Sequence, residues 1–186
     1  MTHKLTTEEM GRMSVEEFRA SEKLLLTVVL DNVRSLNNIG SVFRTSDAFR
    51  VEHIALCGIT ATPPHREIHK TALGAEESVA WSYHEDTAEC VRALKEQGYK
   101  IYAVEQVDDS IKLGTRASRL LAAETAAYPR VAIILGNEIE GVQESLLPLC
   151  DGCLEIPQYG TKHSLNVSCA AAIVIWEMFK ELRMDN

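Results

Sequence analysis

Several features that would assign this chain to a special class are missing from its sequence. No apolar run reaches the 18 residues expected of a membrane-spanning helix, and the opening MTHKLTTEEM lacks the apolar core of a signal peptide. The five cysteines are an odd number and suggest no disulfide framework. These absences argue against a membrane protein or a disulfide-stapled secreted domain, and they predict a cytoplasmic protein.

Nucleotide-binding fingerprints and an excess of positive charge are also missing. The sequence contains neither the G-x-G-x-x-G pattern of a Rossmann dinucleotide site nor a P-loop lysine. Its formal net charge of -8 argues against a protein that coats nucleic acid without specificity, because neutralising phosphates requires many lysines and arginines. The net charge still leaves room for one local basic face on an acidic body.

What is present describes one folded domain. The chain has 186 residues, of which 46% are apolar and 25% charged, enough for a single hydrophobic core. Ser14 and Glu17 have the spacing of a capping box and predict a short helix near the start. We therefore expect a short helical arm over residues 1–22 and a single domain over residues 23–186.

Apolar runs alternate with helical patterns along that domain. Strands are predicted at 24–31, 53–57, 99–105 and 131–136, and more weakly at 79–83 and 153–157. Helices are predicted at 38–49, 87–97, 143–149 and 166–183. This alternation indicates an α/β fold with a mostly parallel sheet flanked by helices.

The last predicted helix is apolar on more than one side. Beside its main apolar stripe it carries Ile173, Trp176 and Phe179 in positions outside that stripe. We expect such a helix to be buried on two sides, either within the chain or against a second copy.

Three polar, glycine-containing segments follow predicted strands, at 31–49, 134–142 and 156–169. Ligands of parallel sheets bind at the carboxyl ends of the strands, so these segments can form one composite site. A simpler interpretation remains open for each of them. In the first, Asn37 or Asn38 would merely cap a helix, and in the third Ser164 or Asn166 would do the same.

Metal and redox sites have little support. Cys150 and Cys153 have C-x-x-C spacing, but they follow a helix and enter a strand, which is the reverse of a redox motif. His65 and His69 lack a nearby pair of carboxylate ligands. We interpret the cysteines as structural and expect no metal.

Taken together, three motifs resemble those of the SpoU (TrmH-like) family of RNA 2′-O-methyltransferases. They are N-x-G-x-x-x-R at 38–44, G-x-E-x-x-G at 136–141 and I-P-x-x-G-x-x-x-S-L-N-V-S at 156–168, in the family's order. The resemblance implies a SPOUT-type fold with a C-terminal deep trefoil knot, S-adenosylmethionine as cofactor, and a homodimer. It implies RNA as the partner, with tRNA favoured over rRNA.

The resemblance also implies roles for individual residues. The catalytic set would be Arg44, Asn38, Glu138, Ser164 and Asn166. Cofactor-binding residues would be Leu135, Gly136, Asn137, Gly141, Ile156, Pro157, Gly160, Ser164, Leu165 and Asn166. RNA would contact Arg34, Arg44, His65, Arg66, Lys70 and Lys162, with His69 on the same basic face.

Arg44 is chemically unusual as the residue that promotes proton removal, because a guanidinium normally stays protonated. Either its surroundings remove that proton, or Arg44 orients a phosphate that accepts the proton and stabilises the developing oxyanion. Two other functions stay open at this point: a noncatalytic RNA-binding dimer of the same fold and a small-molecule methyltransferase.

Overall fold

The centre of the protein is a seven-stranded sheet in which every neighbouring pair of strands is parallel. A computed structural model describes residues 2–6, 9–115 and 130–183. The strands are β1 Leu24–Asp31, β2 Val51–Cys57, β3 Ala80–His84, β4 Lys100–Val104, β5 Ile111–Lys112, β6 Val131–Leu135 and β7 Gly152–Glu155. Their order across the sheet is β3-β2-β1-β6-β4-β7-β5. The predicted α/β fold with a mostly parallel sheet is confirmed.

Helices cover both faces of this sheet. They are α1 Val15–Ala20, α2 Leu36–Ala48, α3 Arg66–Ala72, α4 Ala75–Ser78, α5 Thr87–Glu96 and α6 Val167–Arg183, with a 3-10 helix at Glu144–Leu149. The predicted helix near the start is confirmed, and Ser14 and Glu17 form the reciprocal capping box. Within the described ranges, no helix is both long and apolar enough to cross a membrane.

Alternate residues of β1 explain why its sequence is apolar throughout. Val28 belongs to the core on one side of the sheet together with Ile39 of α2, whereas Val29 belongs to the core on the other side together with Val91 of α5. All four side chains are fully buried. Burying each one contributes roughly 1.5–3 kcal/mol, which favours an interior position for β1 in the sheet.

Sequence patterns missed α3, α4 and β5. The segment that forms α3 and α4 is polar and is interrupted at Leu73 and Gly74, which both have positive φ angles. The cap of α3 is His65, whose side chain accepts from the Glu67 N–H, and histidine is not a usual capping residue. β5 has only two residues, too few for any period to be visible.

The described part of the chain covers only one side of α6. Val174 and Met178 are buried against the sheet, but Ile173 is 41% exposed and Trp176 is 47% exposed. Burial of both sides is therefore not met within the described part of this single chain, and burial of the exposed side against a second copy stays a prediction. Trp176 packs partly against Phe49 and Phe179, with ring centroids 5.5 and 5.8 Å away.

Candidate active site

A cleft of about 560 Å³ opens where β4, β6 and β7 end. This is the edge of a parallel sheet at which ligands bind, and the volume lies within the range of small-molecule sites. Eight of the ten residues predicted to bind a cofactor line it: Leu135, Gly136, Asn137, Gly141, Ile156, Ser164, Leu165 and Asn166.

The other two predicted cofactor residues, Pro157 and Gly160, are not among the residues that line the cleft. Pro157 is half-buried and Gly160 is exposed. Apart from its chain neighbours, no described atom lies within 4 Å of a Cβ built on Gly160. Gly160 therefore has room for a side chain in this structure.

The loop 136–141, here called the glycine loop, closes tightly on itself after β6. Asn137 and Gly141 exchange two backbone hydrogen bonds of 2.9 Å, and Gly141 has a φ of 73°. A Cβ on Gly136 would lie 2.0 Å from the Gly141 carbonyl carbon, so no side chain fits there. The two glycines of G-x-E-x-x-G are thus explained by close backbone packing and a left-handed turn.

The three sequence motifs meet in one hydrogen-bonded network. The Glu138 carboxylate accepts from the backbone N–H groups of Arg34 and Ser35 at 3.1 and 3.0 Å, and from Asn38 Nδ2 at 3.1 Å. Asn38 Oδ1 in turn accepts from Asn166 Nδ2 at 3.1 Å. Residues 100 to 128 positions apart in sequence are thereby fixed relative to one another at the edge of the cleft.

Asn38 does not cap α2, and neither does Asn37. The cap is Ser35, whose hydroxyl accepts from the Asn38 N–H at 3.3 Å. Because the helix begins at Leu36, the Asn38 side chain lies within its first turn and turns toward Glu138 and Asn166 instead. Asn166 belongs to the network and also caps α6. Its Nδ2 donates to Asn38, and its Oδ1 accepts from the Ser168 N–H at 2.9 Å at the start of that helix.

The protonation of Glu138 reflects this network. Desolvation raises the pKa of the carboxyl, but the hydrogen bonds from Arg34, Ser35 and Asn38 outweigh it, and the pKa lies below its ordinary value. Hydrogen bonds to the charged form stabilise it. Glu138 is therefore a weak base and a firm acceptor, suited to positioning rather than to removing a proton.

Arg44 lies outside the cleft. It is exposed on α2 and makes no hydrogen bond or ion pair with any residue that the structure describes. Of the five predicted catalytic residues, Asn38, Glu138 and Asn166 are joined directly, and Ser164 is exposed along the cleft wall. Arg44 shares only its helix with Asn38.

Sequence reasoning missed the acidic side chains of the cleft. They are Glu105 after β4, Glu140 and Glu144 beyond β6, and Glu155 in β7. Glu105 supports the glycine loop, because its carboxylate accepts from the Val142 N–H at 3.1 Å. The one available signal was the position of Glu105 at the carboxyl end of the strand predicted at 99–105, since no family motif includes it.

The residues predicted to contact RNA are exposed but dispersed. His65, Arg66, His69 and Lys70, here called the basic flank, lie at the start of α3 and along it. Lys70 pairs with Glu67 at 2.7 Å and His69 contacts Glu76 at 2.5 Å. Two further predicted residues, Arg34 and Lys162, lie exposed in separate loops.

The cysteines show no sign of redox or metal chemistry. All five lie in the described part of the chain and are free thiols. Burial raises the pKa of Cys150 to about 11 and also raises that of Cys153, so both thiols are weak nucleophiles at neutral pH. No group of three or more potential metal ligands occurs among the described residues. These facts support the interpretation of the cysteines as structural.

Solved structures with the same fold include methyltransferases. The A. aeolicus TrmH/SpoU tRNA modifying enzyme superposes with a TM-score of 0.75 at 23% identity, over 90% of this chain and 80% of that one. The SpoU methyltransferase AviRb from Streptomyces viridochromogenes, solved in complex with AdoMet, gives 0.72 at 21% identity, over 91% of this chain and 65% of that one. At these identities the comparison establishes the fold alone.

Sequence relatives are closer. The tRNA (guanosine(18)-2′-O)-methyltransferase of Thermus thermophilus is 34% identical over 169 residues, 91% of this chain and 81% of the relative. The 23S rRNA (guanosine-2′-O-)-methyltransferase RlmB of Nitrosomonas europaea is 31% identical over 157 residues, 84% of this chain and 56% of the relative. Residues 25–176 match the SpoU rRNA Methylase family. That match spans all three motifs and most of the chain, and the chain belongs to the SpoU methylase family.

Proposed function

We propose that this protein transfers a methyl group from S-adenosylmethionine to a ribose 2′-hydroxyl of RNA, with tRNA as the first substrate to test. The observation that carries the proposal is the network of Glu138, Asn38 and Asn166, which joins three distant motifs beside a cofactor-sized cleft in a SpoU family chain. The preference for tRNA rests on the Thermus relative, whose name specifies guanosine 18 of tRNA.

The cleft suits the cofactor in size and in chemistry. Leu135, Ile156 and Leu165 offer apolar surface, and the tightly closed glycine loop forms part of the wall beside them. Bound S-adenosylmethionine would supply a methyl group already activated on a sulfonium. The protein's own task is then to hold the ribose oxygen in line and to ease the loss of its proton.

Asn38, Glu138 and Asn166 act as positioning residues in this proposal. Glu138 fixes the start of α2 through the Arg34 and Ser35 amides, so it holds the helix that carries both Asn38 and Arg44. Because its pKa is lowered, Glu138 is not the group that accepts the hydroxyl proton. Ser164, exposed along the cleft, is free to donate to ligand or RNA.

We assign Arg44 the role of a cation that holds an RNA phosphate and stabilises the developing oxyanion. The Arg44 guanidinium is exposed, and a guanidinium binds phosphate in bidentate fashion. The phosphate that it orients would accept the proton released by the 2′-hydroxyl. This assignment takes the second of the two accounts of Arg44 given above.

A C-terminal trefoil knot is part of the proposal. Its support is the path of the chain after β7, which lies near one edge of the sheet. The chain continues through the loop 156–166 along the cleft. Helix α6 then packs against α2 and β1, and β1 is separated from β7 in the sheet by β6 and β4. A chain that returns in this way is consistent with a threaded C-terminus.

A homodimer is also proposed, with the uncovered side of α6 as its interface. Ile173 and Trp176 present large exposed apolar surface beside the Phe49 and Phe179 rings. Such a face on a soluble helix favours association with a second copy. A dimer could bring Arg44 of one protomer to the cleft of its partner.

We also propose the bounds of the methyltransferase domain and the compartment in which the protein works. Residues 23–186 would be the methyltransferase domain and residues 1–22 an arm, anchored where Phe18 is buried in the core. The protein would work in the cytoplasm, where five free thiols stay reduced.

The decisive experiment supplies the protein with methyl-labelled S-adenosylmethionine and total RNA, followed by mapping of the labelled nucleotide. We expect a 2′-O-methylated ribose in tRNA, with guanosine 18 examined first. Tight cofactor binding without label in any RNA would overturn the proposal. Label that enters only low-molecular-mass compounds would favour a small-molecule methyltransferase, and RNA binding without transfer would favour a noncatalytic binder.

A further inference from the structure

The cleft is lined by acidic side chains without a matching cation. Five carboxylates line it, and among the described residues no lysine, arginine or histidine does. The five are Glu105, Glu138, Glu140, Glu144 and Glu155. A cleft with low-dielectric walls and charge of one sign concentrates ligands of the opposite charge.

Three of these carboxylates have structural duties and two do not. Glu105 and Glu138 accept backbone N–H groups, and Glu155 accepts from the Ser110 hydroxyl. The side chains of Glu140 and Glu144 are exposed and make no hydrogen bond or ion pair with the part of the chain that the structure describes. Both carboxylates are therefore available to act on a ligand in the cleft.

Methyl transfer changes the charge of the cofactor. S-adenosylmethionine carries a sulfonium, an ammonium and a carboxylate, so it is a net cation. When the C–O bond forms and the C–S bond breaks, the sulfur keeps the electron pair and becomes a neutral thioether, while the hydroxyl proton leaves separately. S-adenosylhomocysteine therefore carries no net charge.

We propose that the acidic lining makes the cleft select its cofactor by charge, so that S-adenosylmethionine binds more tightly than S-adenosylhomocysteine. The inference rests on the proposed function, because it requires the cofactor to occupy this cleft. Loss of the positive charge during the reaction then weakens the spent cofactor's binding and speeds its exchange. A partly screened carboxylate contributes roughly 1.4- to 5-fold in affinity, so several together give about tenfold discrimination.

Calorimetric titration of three ligands tests the proposal without any turnover. They are S-adenosylmethionine, S-adenosylhomocysteine and sinefungin, in which a protonated amine replaces the sulfonium. We expect the two cations to bind within about threefold of each other and the neutral thioether to bind about tenfold more weakly. The difference should shrink as salt is raised, because salt screens exposed charges. Equal affinity for all three ligands, or tighter binding of the thioether, would overturn the inference.

The double variant Glu140→Gln with Glu144→Gln tests whether carboxylates of the cleft cause the difference in affinity. It should lower the ratio of the affinities for S-adenosylmethionine and S-adenosylhomocysteine by about two- to tenfold, while the affinity for S-adenosylhomocysteine stays within about twofold. The matched control is Glu85→Gln with Glu96→Gln, which removes the same charge at two exposed positions that do not line the cleft. Discrimination that is unchanged in the first variant, or equally reduced in the control, would contradict the proposal. If none of the ligands binds, the cofactor site itself is wrong, and the inference fails with it.

Discussion

The cleft and the basic flank are held together in opposite ways. In the cleft, Glu138, Asn38 and Asn166 are joined by hydrogen bonds between residues that lie 100 and 128 positions apart in the chain. In the basic flank, Lys70 is held by Glu67 three residues away and His65 caps its own helix. The cleft is preorganised by the whole fold, which suits a small cofactor of fixed shape. The side chains of the basic flank pair with residues two to seven positions away, which suits an extended polyanion.

Arg44 belongs to neither region, and its removal is expected to have the largest effect. Arg44→Ala should lower the rate of methyl transfer by about a hundred- to a thousandfold, because a donor directed at a developing charge is worth about 2.7–4 kcal/mol. Cofactor affinity should stay within a few fold, since Arg44 does not line the cleft. Single-turnover rates and calorimetric titration measure the two effects.

The control for Arg44 is Arg92→Ala, which removes another exposed arginine that has no partner among the described residues, on α5. It should leave the rate unchanged within about twofold, as expected of an ordinary surface substitution. An active Arg44→Ala enzyme would remove Arg44 from the mechanism. A large loss of cofactor binding would instead assign Arg44 to the cleft.

The glycine loop provides the next largest effect and tests the rigidity of the cleft. Gly136→Ala places a Cβ 2.0 Å from the Gly141 carbonyl carbon, so the loop must open. We expect cofactor affinity to fall about a hundredfold, and the free energy of unfolding to fall by about 1–3 kcal/mol through overpacking. Titration calorimetry and denaturant unfolding measure these losses.

Gly160→Ala is the matched control, because that glycine lies in the third motif but has open space around its Cβ position. It should change neither affinity nor stability appreciably. If both alanine variants behave alike, the loop 136–141 is not the rigid cradle described above. If Gly160→Ala alone weakens cofactor binding, Gly160 contacts the cofactor as the motif resemblance implies.

These two glycines also show how far sequence could reach. Regular patterns predicted the strands that end at the cleft, because a central parallel strand must be apolar on both faces, as β1 is. Motif resemblance selected Gly136 and Gly160 alike. A single sequence does not distinguish a glycine that has no room for a side chain from one that has open space around it. Only the approach of Gly141 to Gly136 in three dimensions separates them.

Long-range polar contacts were beyond sequence reasoning for a similar reason. Asn38 looked like a helix cap because caps depend on neighbours, and the true partners of its side chain lie in distant loops. Glu105 was missed because its role depends on Gly141 and Val142 lying beside it. Local rules predict local contacts, whereas the cleft is built from contacts that the fold creates.

Asn38→Ala breaks the link between Glu138 and Asn166 but leaves the two backbone hydrogen bonds that close the glycine loop. We expect methyl transfer to fall about ten- to a hundredfold, and stability to fall by about 1–3 kcal/mol, because two polar groups lose their partner. Steady-state kinetics with tRNA and chemical unfolding give both numbers. Asn37→Ala, one residue earlier and exposed, serves as the control. Equal losses in the two variants would show that the α2 start, rather than the network, is sensitive.

The smallest expected effect lies in the basic flank and tests whether its charges act singly. Arg66 is exposed and makes no hydrogen bond or ion pair with the described residues, whereas Lys70 is already paired with Glu67 at 2.7 Å. Arg66→Gln should therefore weaken tRNA binding by about three- to tenfold, and reduce the slope of log affinity against log salt by about one.

Lys70→Gln should weaken tRNA binding by less than about twofold, because the Lys70 ammonium is already held by Glu67 and contributes little to binding a phosphate. Fluorescence titration of labelled tRNA at several salt concentrations resolves the two slopes, with Arg92→Gln as the control on α5. If Lys70→Gln costs as much as Arg66→Gln, the pairing seen here breaks when RNA binds, and the basic flank rearranges on contact. If neither matters, RNA approaches from another face, and the contrast between a rigid cleft and an adaptable flank no longer describes how this protein holds its substrate.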